Sequence, residues 1–220
     1  MKEIDTSDRI KVHEIYFSVQ GESSHVGRPC IFIRTSGCKL RCSWCDTSHA
    51  FYEGDWLSFD QILKEISNFP SKLVEVTGGE PMEQAEIIPF LNFLLANNYE
   101  VLMETGGHVS LKDVPAQIHK IMDIKCPASK MDRKNNFSNI EALNSGDEVK
   151  FVIQDRADFD YAVEVIQKYK LEQKCELLLS PVHGVMEAQT LVEWMLNQGL
   201  NARFQLQMHK YVWSAETRGV

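Results

Sequence analysis

Short apolar segments alternate with amphipathic ones along most of this 220-residue chain. The apolar runs have strand length, and the amphipathic ones carry apolar residues at helical spacing. Such alternation is typical of parallel βα units, in which each crossover helix covers one face of the sheet. The predicted strands are 10–19, 30–35, 72–77, 100–104, 118–124, 148–153, 175–179 and 202–207, with one helix capped by Ser58 and others over 85–97, 158–170 and 187–198.

The predicted fold is an α/β partial (β/α) barrel of about six parallel strands, because closing the barrel takes eight. A flat doubly wound sheet is the alternative, but it calls for a phosphate-binding glycine fingerprint that Gly78-Gly79-Glu80-Pro81 does not match. No linker or repeat divides the sequence, so we expect one domain over residues 1–220. In both folds functional groups gather at the carboxyl ends of strands. These ends lie near residues 77–80, 104–106, 123–125, 180–181 and 209–210.

Charge and composition exclude several classes of function. The net charge is −8 and no run of five Lys or Arg occurs, so we expect neither a nucleic-acid partner nor a membrane surface. No apolar stretch approaches the ~20 residues of a transmembrane helix, and the first residues lack the apolar run of a signal peptide. Six cysteines are present without the pattern of a secreted disulfide scaffold, which predicts a cytoplasmic location. The scattered Cys30, Cys126 and Cys175 should be buried small hydrophobes.

Three cysteines, Cys38, Cys42 and Cys45, lie within eight residues. Thiolates at this density favour a metal over a disulfide, and three of them leave a metal one ligand short. Structural zinc with His49 as fourth ligand is one interpretation, and a disulfide with a free thiol or a reactive cysteine are others. We favour a [4Fe–4S] cluster held by three thiolates, whose fourth iron is open to an external ligand.

The spacing Cys-x3-Cys-x2-Cys resembles the signature of the radical S-adenosylmethionine (SAM) superfamily, and Trp44 before the last cysteine is also typical of it. A second motif agrees, because Gly78-Gly79-Glu80-Pro81 follows a predicted strand as the SAM-binding GGEP segment does in that superfamily. The resemblance implies that SAM chelates the open iron. It also implies that SAM is cleaved to a 5′-deoxyadenosyl radical.

Further segments resemble the 7-carboxy-7-deazaguanine synthase family of queuosine and other 7-deazapurine biosynthesis. They are residues 17–22, 27–29, 32–34, 45–47, 104–107 and 209–211. The resemblance implies a lyase that converts 6-carboxy-5,6,7,8-tetrahydropterin to 7-carboxy-7-deazaguanine with loss of ammonia. It also implies a [4Fe–4S] cluster, SAM and Mg²⁺ as cofactors, a reducing partner such as flavodoxin, and a homodimer.

The same resemblance assigns roles to individual residues. Substrate contacts fall on Val19, Gln20, Gly21, Arg34, Thr77 and Val220. Contacts with SAM fall on Trp44, Cys45, Asp46, Gly79, Asp123, Ile124, Lys125, Ser180, Pro181, Val182 and His183. Thr47 would bind Mg²⁺, with substrate oxygens and water completing the shell. Glu22, Glu104 and His209 are candidates for proton transfer, and the sequence does not choose among them.

Two other functions remain open at this point. A glycyl-radical activase would keep the cysteine loop and the partial barrel but act on a protein. The segment Gln20-Gly21-Glu22 and Arg34 favour a small carboxylated substrate instead, since a guanidinium group pairs bidentately with a carboxylate. The other alternative is a zinc-stabilised binding protein without catalysis.

Overall fold

The computed structural model describes residues 8–220. In this part of the chain nine strands form one sheet. They are β1 Arg9–Val19, β2 Pro29–Thr35, β3 Asp55–Ser58, β4 Leu73–Gly78, β5 Glu100–Thr105, β6 His119–Asp123, β7 Glu148–Ile153, β8 Glu176–Pro181 and β9 Arg203–Phe204. Their order in the sheet is β3-β1-β2-β4-β5-β6-β7-β8-β9. β1 is antiparallel to its neighbours β2 and β3, and all other neighbouring strands are parallel.

Four helices cover the outer face of the sheet, α1 Phe59–Ile66, α2 Ile87–Ala96, α3 Arg156–Tyr169 and α4 Ala188–Gln198. A short fifth helix, α5 His209–Val212, follows β9 and contacts Gly21 and Asp46 instead. Ser58 and Gln61 form a capping box that starts α1, as predicted for Ser58. The main core lies between these helices and outward-facing strand residues such as Ile33, Val76 and Phe151. With parallel strands following each other in chain order, the predicted partial barrel is confirmed.

The inner face of the sheet is layered. Successive strand residues point to opposite faces, and cross-strand partners point to the same face. An apolar layer of Cys30, Phe32, Leu73, Leu102 and Ile121 lies inside the barrel. Further along the strands, toward their carboxyl ends, the inner face becomes polar. The polar positions are Arg34, Glu75, Thr77, Glu104, Asp123 and, on β7, Lys150.

The segment after β1 closes the opposite end of the barrel. Glu148 at the start of β7 is fully buried, and its Oε1 accepts hydrogen bonds from the Ser24 amide (3.0 Å) and hydroxyl (2.5 Å). His119 at the start of β6 also contacts this oxygen through Nε2 at 2.8 Å. Arg28 of the same segment forms a bidentate ion pair with Glu100 on β5. These bonds fix the segment that carries Gln20, Gly21 and Glu22.

Some predicted elements differ from the observed ones. The last strand, predicted over 202–207, spans only Arg203–Phe204, and His209 and Lys210 begin a short helix rather than ending a strand. The strand Asp55–Ser58 was not predicted, because its four residues pair only with the edge of β1. Cys30, Cys126 and Cys175 are buried free thiols, as predicted. No helix between residues 8 and 220 is long and apolar enough to cross a membrane, and the predicted lack of a signal peptide concerns residues outside this range.

Replacing Glu148 with Gln should lower the midpoint of thermal unfolding at pH 7. The hydrogen bonds to Glu148 hold its pKa below the usual range although burial opposes this, so the native state favours the charged form. Loss of that charge should cost about 2 kcal/mol, or roughly 4–8 °C in a domain of this size. Circular dichroism under reducing, anaerobic conditions measures the change. Glu176→Gln is the matched control, because Glu176 is an exposed register partner of Glu148; equal midpoints for the two variants would contradict the anchoring role.

Candidate active site

The three clustered cysteines lie on a loop that follows β2 directly. Unlike the three buried cysteines, Cys38, Cys42 and Cys45 are partly exposed. The loop is anchored on the turn after β6, where the Ser43 hydroxyl donates to the Ala128 carbonyl at 2.6 Å. Burial raises the pKa of Cys38 to about 11, so this thiol is a poor nucleophile until a metal displaces its proton. The donor set and its exposure therefore fit a metal cluster rather than a reactive cysteine.

Two glycines bring the end of β4 against the start of the cysteine loop. A Cβ atom on Gly79 would collide with the Gly37 backbone, and one on Gly78 with the Thr35 backbone. Gly78 also has φ +134°, a conformation that residues with a side chain rarely adopt. This packing explains the glycine pair of the Gly78-Gly79-Glu80-Pro81 motif. It leaves the backbone of the motif close to the cysteines, where a cofactor bound to the cluster can reach it.

Glu80 has a structural role in the same motif. Its side chain is fully buried. One carboxylate oxygen accepts from the Thr105 hydroxyl at 2.7 Å and the Met82 amide at 3.0 Å, and the other accepts from the Gly106 amide at 2.8 Å. Glu80 thus ties the loop after β4 to the loop after β5.

Polar atoms without partners mark the neighbouring strand ends. Asp123 Oδ1 at the end of β6 and Ser180 Oγ on β8 are buried and lack a hydrogen-bond partner among the described residues. Lys125 forms an ion pair with the other oxygen of Asp123. Buried polar groups are nearly always satisfied, so these atoms fit a polar ligand such as SAM. Ile124 and Lys125 line a cavity of about 10 Å³ with Trp44 beside them.

Other residues predicted to contact SAM lie on the rim of this region. Pro181 and Val182 are buried at the end of β8, whereas His183 is exposed and packs edge-on against Tyr211 at 6.3 Å between ring centroids. The Asp46 carboxylate accepts from Gln207 at 3.1 Å and pairs with Lys210 at 3.3 Å. These contacts hold the C-terminal segment against the cysteine loop.

Lys150 lies at the centre of the polar layer, and the sequence analysis missed it. Its Nζ contacts Glu104 and lies 3.0 Å from Glu22 Oε2 and 3.6 Å from Asp123 Oδ1. Thr77 donates to the second oxygen of Glu104 at 3.0 Å. The sequence did carry a signal, because a lysine in the middle of an apolar strand needs a buried partner. The predicted residues Glu22, Thr77, Glu104 and Asp123 are therefore brought together.

Gln20 points into the barrel rather than out to solvent. Its Oε1 accepts from the Glu22 amide, and its Nε2 donates to Glu75 on β4. Glu75 was also missed, although it lies two residues before Thr77 on the same face of the strand. Burial, with Glu104 next in effect, raises the pKa of Glu75 to about 8.

Arg34 has protein partners in this structure. Its Nε donates to Glu14 at 2.7 Å and one terminal nitrogen donates to the Tyr16 hydroxyl at 2.8 Å. Arg34 therefore already forms a salt bridge near the end of β2. A guanidinium group has five N–H donors, so a substrate carboxylate can still bind to the remaining ones.

The remaining predicted residues make contacts outside the polar layer. The Gly21 carbonyl accepts from the Met208 amide at 2.9 Å, and Gly21 packs against the His209 ring so closely that a Cβ would collide with it. The Thr47 hydroxyl lies 3.8 Å from Cys45 Sγ. Val220 lines an apolar cavity of about 310 Å³ together with Val19 and Trp213.

His49 does not complete a zinc site with the cysteines. Its ring packs against His13, with 5.0 Å between the centroids, and its Nε2 lies 3.9 Å from Glu14.

Among residues 8–220, the only three side chains that bring possible metal-ligand atoms within 4.8 Å of one another are His25, His119 and Glu148. There the Arg28 guanidinium lies 2.6 Å from His25 Nδ1, and an arginine can only donate. That nitrogen is therefore already used as an acceptor.

Comparison with known proteins agrees with this site. The model of the Radical SAM superfamily matches residues 32–189. The 7-carboxy-7-deazaguanine synthase of Koribacter versatilis is 42% identical over 226 residues, covering 96% of this chain and 100% of the relative. That of Chlorobaculum tepidum is 39% identical over 220 residues, covering 99% and 100%.

A solved structure agrees at the level of the fold. The crystal structure of QueE from Escherichia coli matches with a TM-score of 0.78 and 20% identity, covering 94% of this chain and 100% of that one. The near-complete coverage of the sequence relatives leaves no large part of either protein unmatched. The chain therefore belongs to the 7-carboxy-7-deazaguanine synthase family of radical SAM enzymes.

Proposed function

We propose that this chain converts 6-carboxy-5,6,7,8-tetrahydropterin to 7-carboxy-7-deazaguanine with release of ammonia. The observation that supports this most directly is the similarity to relatives of that name over 96% and 99% of the chain. The polar layer inside the barrel, toward the same strand ends as the cysteine loop, agrees with it. When bound, the [4Fe–4S] cluster and SAM supply hydrogen-atom abstraction from a carbon of the substrate. Cys38, Cys42 and Cys45 would hold the cluster. Gly79, Asp123, Ser180 and their neighbours would hold SAM.

Arg34 would bind the carboxylate of the substrate through the donors that Glu14 and Tyr16 leave free. Burial raises the pKa of Tyr16 to about 12, so its hydroxyl stays protonated and can also donate. Thr47 would contribute a hydroxyl to Mg²⁺ near that carboxylate. A single hydroxyl is a weak ligand for Mg²⁺, so substrate oxygens and water would complete the shell.

His209 is the best placed of the three proton-transfer candidates. Glu22 and Glu104 are both engaged by the Lys150 ammonium, and each accepts a second hydrogen bond on its other oxygen, from Gln207 and Thr77 respectively. The His209 ring makes no hydrogen bond to the described residues, and burial lowers its pKa, so the imidazole is neutral with a free lone pair. It lies against Gly21, in the segment assigned to the pterin ring. We therefore assign proton removal to the His209 imidazole.

The environment of the enzyme belongs to the same proposal. Reductive chemistry at the cluster needs an electron donor, and a flavodoxin would serve. We also propose a homodimer of single-domain chains located in the cytoplasm, on the basis of the family resemblance.

The proposed reaction can be tested with anaerobically reconstituted protein, the tetrahydropterin, SAM, Mg²⁺ and a reductant. We expect 7-carboxy-7-deazaguanine by mass spectrometry. Cys42→Ala should lower product formation at least about 100-fold and remove the broad visible absorbance of the cluster. Cys175→Ala is the matched control, because Cys175 is buried away from the loop and should leave both unchanged. Absence of this product from the loaded wild-type enzyme would refute the assignment, and glycyl-radical formation on a protein would favour an activase.

Glu75 should report its protonation through stability. Because its pKa is about 8, the native state keeps a proton that the unfolded chain loses near pH 4.5. Between these values Glu75 therefore destabilises the fold increasingly as pH rises, by at most about 1.4 kcal/mol per pH unit. Glu75→Gln imitates the protonated acid and keeps the acceptor for Gln20. The thermal midpoint of Glu75→Gln should therefore rise relative to that of the wild type from pH 5 to pH 8. Above pH 8 the difference between the two midpoints should stay constant.

The control for Glu75→Gln is the same change at Glu65, which is exposed on α1. The difference between Glu65→Gln and the wild type should not depend on pH in this range. A constant difference for Glu75→Gln as well would show that Glu75 is ionised in the native barrel.

A further inference from the structure

Lys150 joins two carboxylates that come from opposite parts of the fold. Glu104 belongs to β5, and Glu22 belongs to the segment after β1. The Lys150 side chain is 6% exposed, whereas those of Glu22 and Glu104 are 18% and 27% exposed. The ammonium is therefore buried, while the two carboxylates that it holds remain partly accessible.

Both carboxylates keep free acceptor positions. Glu104 accepts from Lys150 on one oxygen and from Thr77 on the other. Glu22 accepts from Lys150 on one oxygen and from Gln207 Nε2, at 2.9 Å, on the other. An ionised carboxylate offers about four acceptor positions, so each has roughly two left within the described residues.

The Lys150 ammonium faces protein carboxylates. It donates hydrogen bonds to Glu22 and Glu104, and Asp123 Oδ1 lies 3.6 Å away, within ion-pair range. A ligand that approaches Glu22 and Glu104 meets oxygens that accept hydrogen bonds and are held in place by Lys150. This pair of carboxylates, the recognition wall, favours a ligand edge made of N–H donors. It disfavours an edge that carries a carbonyl oxygen, because two acceptors repel and each remains unpaired.

We propose that Glu22 and Glu104 accept hydrogen bonds from the 2-amino and N3–H groups of the substrate's pyrimidine ring, with Lys150 as their positioning residue. This inference rests on the proposed function, since it identifies the part of a pterin that the wall recognises. The 2-amino and N3–H donors are parallel neighbours, which suits carboxylate oxygens. An analogue with a 2-oxo group in place of the 2-amino group presents an acceptor at that position.

The experiment compares the tetrahydropterin with its 2-oxo analogue by anaerobic calorimetry, using cluster-loaded enzyme and SAM without reductant so that no turnover occurs. Wild-type enzyme should bind the analogue about 10- to 100-fold more weakly. Glu104→Gln or Glu22→Gln should narrow the gap to about 3-fold or less, because an amide can also donate to the 2-oxo group. Lys150→Met should weaken substrate binding at least about 10-fold. Under turnover it should also raise the ratio of 5′-deoxyadenosine to product.

Lys120→Met is the matched control for Lys150→Met. Lys120 is also fully buried and pairs with a carboxylate, Asp147, at 2.9 Å, but it points to the outer face of the sheet. The Lys120→Met variant should share any loss of thermal stability seen in Lys150→Met but should bind the substrate with the affinity of the wild type.

The outcomes separate this inference from the proposed function. If wild-type enzyme makes the product but both glutamine variants discriminate against the analogue as strongly as wild type does, the recognition wall is wrong and the function stands. If Lys150→Met and Lys120→Met both leave substrate affinity unchanged, Lys150 is only structural and its positioning role is wrong. If the wild type neither binds nor converts the tetrahydropterin, the proposed function itself fails, and the inference fails with it.

Discussion

The ion pairs of Lys150 determine how several acidic side chains share the interior of the barrel. Glu22, Glu104 and Asp123 come from three different elements, and like charges this close would force protonation of one of them in the absence of a cation. Lys150 contacts all three, and Lys125 adds a second ammonium at Asp123. Glu75 has no such partner among the described residues. It is held by the Gln20 amide instead, and burial favours its neutral form.

The interior therefore has a neutral layer at Gln20 and Glu75 and a charged layer around Lys150. Below the neutral layer lies the apolar layer around Phe32 and Leu102, which separates the site from the hydrogen bonds of Glu148 at the other end of the barrel. Electrostatic interactions weaken with both distance and solvent screening. A barrel with polar groups at both ends and an apolar layer between them can therefore hold the segment after β1 by hydrogen bonds at one end. Gln20 and Glu22 of the same segment then contribute to the site.

Much of this architecture could be predicted from sequence, because it depends on local patterns. The alternation of strands and helices indicated the partial barrel, and the spacing of Cys38, Cys42 and Cys45 indicated an open cluster. The glycines of the Gly78-Gly79 motif could be interpreted by analogy, and the structure adds the close backbone approach that requires them. Two of the three partners of Lys150 could not be predicted. Asp123 is its register partner on the neighbouring strand, but Glu104 lies two strands away on β5 and Glu22 lies in a loop 128 residues away along the chain. Gln207 was missed for the same reason, since it links Glu22 to Asp46 across the open side of the barrel.

The two buried lysines show why position within the fold matters more than residue type. Lys120 has a single carboxylate partner and a backbone carbonyl at 3.2 Å, and the whole pair is sealed by the outer core. Lys150 has three acidic partners, two of which remain accessible. A buried ion pair is weak evidence for added stability, because the cost of desolvating the two charges offsets most of their Coulombic attraction. A sealed pair can be replaced by apolar groups with little consequence beyond stability. A buried ammonium that holds accessible carboxylates, as Lys150 does, instead maintains a charged surface inside the barrel. Such a surface matters for binding, because a ligand with matching donors can pair with it.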